Sequence, residues 1–124
     1  MDHATYGPTW LTDSRIATLM VKALLQAESE LRFYSLDAWV VMPNHVHILF
    51  LPKTAIAKIT RWLKGSTARA ANQILGRTGQ PFWQPESFDH WVRNESELGS
   101  ITRYIERNPV AAGLPNWPYL SSRL

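Results

Sequence analysis

A chain of 124 residues, 45% of them hydrophobic, with a net charge of +3 has the length of one domain and the composition of a folded protein, not a disordered one. It contains no cysteine, which excludes disulfides and thiolate metal sites. No stretch approaches the ~20 apolar residues of a membrane span, and the Met1–Thr5 start lacks a basic and then apolar export pattern, so a single domain over 1–124, a cytoplasmic location and no membrane partner are expected.

Residues 1–12 contain the turn dipeptide Gly7-Pro8 and read as an irregular lead-in. Thr12 or Asp13 can cap a helix running to about Ala27, in which Ile16, Leu19, Met20, Ala23, Leu24 and Ala27 recur at helical spacing and form the buried face. The period then changes. Residues 32–42 and 45–51 are rich in Val, Ile, Phe, Tyr and Trp and read as two strands joined by a tight turn at Pro43-Asn44. A second helix fits Ala55 to about Leu75, with Gly65 expected to kink or interrupt it and Gly76, Gly79 and Pro81 ending it. Phe88–Val92 reads as a third short strand, and Glu95–Asn108 as a third helix stopped by Pro109. The order is helix, strand, strand, helix, strand, helix. It specifies an α+β fold with helices packed on an antiparallel sheet.

Charge is unevenly placed. Residues 53–77 carry Lys53, Lys58, Arg61, Lys64, Arg69 and Arg77 without one acidic residue, a pattern that suits a polyanionic partner or simply a solvated basic helix face. Six tryptophans supply flat rings that can stack on unpaired bases, although core packing is their plainer role.

Two segments carry chemistry. In Asn44-His45-Val46-His47-Ile48-Leu49-Phe50, strand alternation puts His45 and His47 on one face and Val46, Ile48 and Phe50 on the other. Two imidazoles so placed can reach one metal ion, or can be a solvated pair behind an apolar face. In the helix predicted over 95–108, Leu98, Ile101 and Ile105 make a narrow apolar stripe, and Tyr104 and Asn108 lie one turn apart along its edge. Alone, these are an amphipathic tyrosine and a helix-terminal amide. Together they suit phosphoryl transfer. A tyrosine hydroxyl of pKa ~10 is a weak nucleophile until something helps it lose its proton, and a divalent cation neutralises phosphate charge. Nitrogen and oxygen ligands without thiolate point to Mg²⁺ or Mn²⁺, with zinc left open.

The segment Val41-Met42-Pro43-Asn44-His45-Val46-His47-Ile48-Leu49 resembles the His-hydrophobic-His motif of the HUH single-strand endonucleases, in the form used by REP-associated tyrosine transposases. Tyr104-Ile105-Glu106-Arg107-Asn108-Pro109-Val110-Ala111-Ala112-Gly113-Leu114 resembles the nucleophile helix of that family, and segments 62–69 and 82–89 match it between those motifs. The resemblance implies a ferredoxin-like core, His45, His47 and Asn108 as ligands of Mg or Mn, and Tyr104 as the nucleophile that becomes linked to a DNA 5′ phosphate. It implies single-stranded DNA with hairpins, REP-like palindromes, as substrate. Lys58, Arg61, Lys64, Arg69 and Arg77 would lie along that DNA, with Arg93 and Arg107 nearer the cut, and a homodimer is one option. A hairpin-binding module that does not cut is the alternative. The family's first strand, central in its sheet, has no counterpart in Met1–Trp10, so open edges are expected beside the His-bearing strand.

Overall fold

The computed structural model describes residues 10–43, 45–83, 88–92 and 119–120, with Trp10 and residues 88–92 described by their backbone. A short 3₁₀ turn, Trp10–Thr12, leads into helix α1, Ser14–Ser29. Asp13 caps α1: its carboxylate accepts from the Arg15 backbone N–H at 2.9 Å and from the Arg15 guanidinium at 2.8 Å. That hydrogen bond to Arg15 holds the Asp13 carboxyl below the usual carboxylate range. Ile16, Ala17, Met20, Val21, Ala23, Leu24 and Ala27 are buried, the stripe the spacing predicts apart from Leu19, which is only half-buried against the core.

Strands β1, Tyr34–Val41, and β2, Val46–Pro52, pair antiparallel. Their turn is closed by the Met42 N–H donating to the His45 carbonyl at 2.8 Å, and Leu11 N–H donates to the Pro43 carbonyl at 2.9 Å. The register runs Val41↔Val46, Trp39↔Ile48 and Leu36↔Phe50, with a bulge at Asp37. The bulge keeps Leu36 and Trp39 on one face although they are an odd number of residues apart. On that face Val46, Ile48 and Phe50 join Trp39, Val41 and the α1 stripe in one buried cluster. Tyr34 packs on Phe50 with ring centroids 5.1 Å apart, and its hydroxyl donates to the Leu24 carbonyl of α1 at 2.8 Å. Burial pushes the Tyr34 phenol well above its ordinary pKa.

Helix α2, Ile56–Leu75, is continuous. The expected interruption at Gly65 does not occur, because Ile59 and Leu63 before it and Ala71 after it all belong to the same core cluster, and packing outweighs the weak helix propensity of one glycine. Gly76, at φ 69°, ends the helix in the left-handed conformation, with its N–H on the Asn72 and Gln73 carbonyls. The chain beyond is then tied back to α2. Asn72 Nδ2 donates to the Gln80 carbonyl at 2.7 Å, and Trp83 Nε1 to Thr67 Oγ1 at 3.1 Å.

Strand β3, Phe88–Val92, pairs with β2 in parallel, giving the order β1-β2-β3. The α+β class stands and the β1–β2 pair is antiparallel, but the sheet as a whole is mixed. The reason is the connection: β2 and β3 are joined by a crossover through α2, which returns the chain in the same direction. β2 is therefore central, paired on both sides, and the open edge expected beside it is filled by β3. The other edge of β1 meets residues 119–120 through a Val40↔Leu120 bridge and a Val41 N–H to Tyr119 carbonyl bond of 2.8 Å. The helix predicted over 95–108 lies outside the described residues, and among those residues no helix is long and apolar enough to cross a membrane.

Two stability measurements check this architecture. Tyr34→Phe removes a buried donor to α1 and is expected to lower the unfolding free energy by about 1 kcal/mol. Gly65→Ala, at a position where a Cβ meets only Arg69 Nη1 at 3.7 Å, is expected to raise it by roughly 0.5–1 kcal/mol. Urea titrations of each variant against the parent chain read both; a Gly65→Ala protein less stable than the parent would show that the helix needs its glycine.

Candidate active site

The face of β2 turned away from the helices holds the two imidazoles. His47 is a β2 residue, and His45 is fixed one step before the strand by the Met42–His45 turn bond. Their ring centroids lie 4.4 Å apart at an interplanar angle of 80°, so the two rings sit side by side as the alternation requires. Both are buried, each 2% exposed. A solvated pair is therefore excluded.

Among the described side chains, their sheet neighbours on β1 and β2 are apolar. Val40 stands opposite His47 and Ala38 opposite Leu49 in the β1–β2 register, and Ala38, Val40, Met42, Leu49 and Leu120 are all buried. Both faces of the sheet are therefore covered. The signal was in the sequence: Ala38-Trp39-Val40-Val41-Met42 is an unbroken apolar run, the mark of a strand buried on both sides. Imidazoles placed in apolar surroundings need compensating partners, and neutral imidazole nitrogens are good donors to a divalent cation. The side-by-side rings and a chain without thiolate fit such a cation. Among the described residues no group of three His, Cys, Asp or Glu side chains could hold a metal by itself. The expected third ligand, Asn108, and the expected nucleophile, Tyr104, lie outside the described residues, as do Arg93 and Arg107. On the other side of β2, the parallel register sets Asp89 opposite His47 and His90 opposite Ile48.

The segment that carries the buried histidine pair falls within a family match that spans most of the chain. Residues 8–108 fit the family described as "Transposase IS200 like". The chain belongs to the IS200-like transposases. The chain is 30% identical over 94 residues to the REP-associated tyrosine transposase of Escherichia coli (strain K12), a match covering 71% of this chain and 54% of that protein. It thus spans about half the length of that curated relative. No solved structure matches it.

In this member of the family the basic residues of α2 fall into three settings. Lys58, Arg61 and Arg69 are exposed, on the side of α2 opposite Ile59, Leu63 and Thr67. Lys58 also lies over the Phe33 ring, its Nζ 5.4 Å from the centroid, and Phe33 packs edge-on against Trp62. Lys64 is half-buried. Arg77 is engaged in the turn after α2, donating to Gln80 Oε1 at 3.5 Å and the Pro81 carbonyl at 3.3 Å. Lys58, Arg61 and Arg69 thus form one surface, and Arg77 acts locally to hold the 77–81 turn.

His47 stands opposite Val40 and two residues before Leu49 on the same face, so a leucine side chain at 47 meets apolar neighbours. His47→Leu is expected to change unfolding free energy by less than about 1.5 kcal/mol, as volume-conserving core swaps do. Thermal denaturation followed by circular dichroism reads this; a collapse of the fold in the Leu variant would assign the imidazole a structural role.

Proposed function

We propose that this protein cuts and rejoins hairpin-bearing single-stranded DNA through a 5′-phosphotyrosine intermediate on Tyr104, with His45, His47 and Asn108 as ligands of Mg²⁺ or Mn²⁺. The observation that carries the reading is the buried imidazole pair on the central strand, its ring centroids 4.4 Å apart. Membership of a transposase family and likeness to a protein named as a REP-associated tyrosine transposase support the substrate class.

In this reading the Tyr104 hydroxyl oxygen forms a bond to phosphorus while the bond from phosphorus to the departing 3′ oxygen breaks. The phenol proton passes to solvent, and the 3′ oxygen leaves as a hydroxyl after taking up a proton. The bond formed is again a phosphodiester, so attack by a 3′ hydroxyl on the phosphotyrosine reverses the step and joins strands. The bound cation would supply charge neutralisation at the non-bridging phosphate oxygens. His45 and His47, held by β2 and its turn, would supply ring nitrogens to that cation, and Asn108 would supply an amide oxygen. Lys58, Arg61, Lys64, Arg69 and Arg77 face the DNA backbone from α2 and its end, with Arg93 and Arg107 closer to the broken bond. REP-like palindromes are the substrate this predicts.

The test is a denaturing gel of protein incubated with a labelled hairpin-bearing strand and Mn²⁺. The parent chain is expected to give a covalent protein–DNA band that Tyr104→Phe abolishes without loss of binding. His45→Ala and His47→Ala are expected to lose both the band and Mn²⁺ binding followed by electron paramagnetic resonance. An adduct formed by the Phe variant would move the nucleophile elsewhere, and binding without any adduct from the parent chain would leave a hairpin-binding module.

A further inference from the structure

Gly65 is not required by the fold around it. It lies mid-helix in α2, where glycine is the weakest helix former after proline. Its φ is not positive, and among the described residues an added Cβ would meet only Arg69 Nη1, at an ordinary contact distance of 3.7 Å. Neither backbone conformation nor space demands the missing side chain.

Its position does suggest a use. Steps of four place Arg61, Gly65 and Arg69 in one row along α2, on the side opposite the buried Ile59, Leu63, Thr67 and Ala71. Lys58 stands two turns before Gly65 on the same side. Side chains on a helix lean toward its N-terminus, and the Arg69 guanidinium accordingly lies back toward the bare backbone of residue 65. The row is thus cation, bare backbone, cation, the gap left by the missing side chain being overlain by the flexible Arg69 guanidinium, in a stretch from 53 to 77 with no acidic residue to compete. Glycine is the residue that lets a ligand come up against backbone, and guanidinium groups are suited to binding phosphate through paired hydrogen bonds.

We propose that the gap at Gly65 seats a phosphate of the DNA strand between Arg61 and Arg69, making this row a backbone-reading contact separate from the histidine site. The proposal rests on the reading of the α2 basic face as DNA-facing and adds the position and the residue that shape it. A methyl group at 65 narrows the gap and lifts the phosphate away from both guanidinium groups.

The experiment is a fluorescence-anisotropy titration of a labelled single-stranded oligonucleotide, without divalent metal and at several salt concentrations. The proteins compared are the full parent chain, Gly65→Ala, Arg61→Gln and Arg69→Gln, with melting temperatures measured alongside. Gly65→Ala is expected to bind about tenfold more weakly, as loss of one charge-assisted contact predicts, while melting at or above the parent temperature. Each Arg variant is expected to lower the slope of log K against log salt by roughly 0.7. Parent-like binding by Gly65→Ala alongside weakened Arg variants overturns the phosphate seat and leaves the basic face standing. Parent-like binding by all three removes the face from the DNA interface altogether.

Discussion

The alternation of side chains along β2 is the constraint on which the rest of this structure depends. The strand is central, paired to β1 on one side and β3 on the other, so it can neither twist away nor slip without breaking two ladders. Its period of two sends Val46, Ile48 and Phe50 into the helix-covered core and leaves His47, with His45 just ahead of it, on the opposite face. A slip of one residue would exchange these sets, driving imidazole into the helix layer and Ile48 out of it. Three features oppose that slip. The Met42–His45 bond closes the turn, the bulge at Asp37 sets the far end of the register, and Tyr34 is anchored to Leu24 of α1. The geometry of the imidazole pair thus follows from contacts made well away from it.

Much of this was legible in the residues themselves, since it is local. The α1 stripe and its Asp13 cap, the two strands and their proline turn, and the glycine stop of α2 are all set by neighbours within a few positions. What was not legible is what the chain does at a distance. Whether Phe88–Val92 pairs parallel or antiparallel, and with which strand, depends on how α2 packs and where the 77–83 segment is tied down. Those ties are an asparagine to a carbonyl eight residues on and a tryptophan to a threonine sixteen residues back. Gly65 is the reverse case: its local propensity points to a break, and the apolar contacts of Ile59, Leu63 and Ala71 override it. The histidine motif was legible as a pair on one face and the apolar run Ala38–Met42 carried the signal of its burial, but the segment that helps to bury it was not legible, since Leu120, bridged to Val40, comes from far along the chain.

The division of α2 into two faces has a consequence for how this family member can use its charge. Ile59, Leu63 and Ala71 serve the core, whereas Arg61 and Arg69 project away from it and Lys58 also lies over the Phe33 ring. Substitution of Arg61 or Arg69 therefore has little effect on the fold, and the charge of this face can change without loss of stability. Arg77 lies outside this separation, because its guanidinium secures the turn that directs the chain toward β3. A mutation there alters the scaffold as well as the charge.

The same layering sets the proposed DNA-binding face and the proposed metal site apart in space. α2 belongs to the layer packed on Val46, Ile48 and Phe50, while His45 and His47 occupy the other face of the sheet. Sheet and helix layers stack about 10 Å apart, so a nucleic-acid strand that touched both the basic face and the imidazoles could not take a straight path between them. It would have to pass an end or an edge of the sheet. The edge of β1 near Val40 is already paired with residues 119–120, so among the described residues the ways round are the turn at Met42–His45 and the outer edge of β3. A duplex is too stiff and wide for so short a turn, whereas a single strand leaving the foot of a hairpin bends freely. An unpaired strand beside a hairpin, the substrate proposed above, is thus the form of DNA that this layering would accommodate.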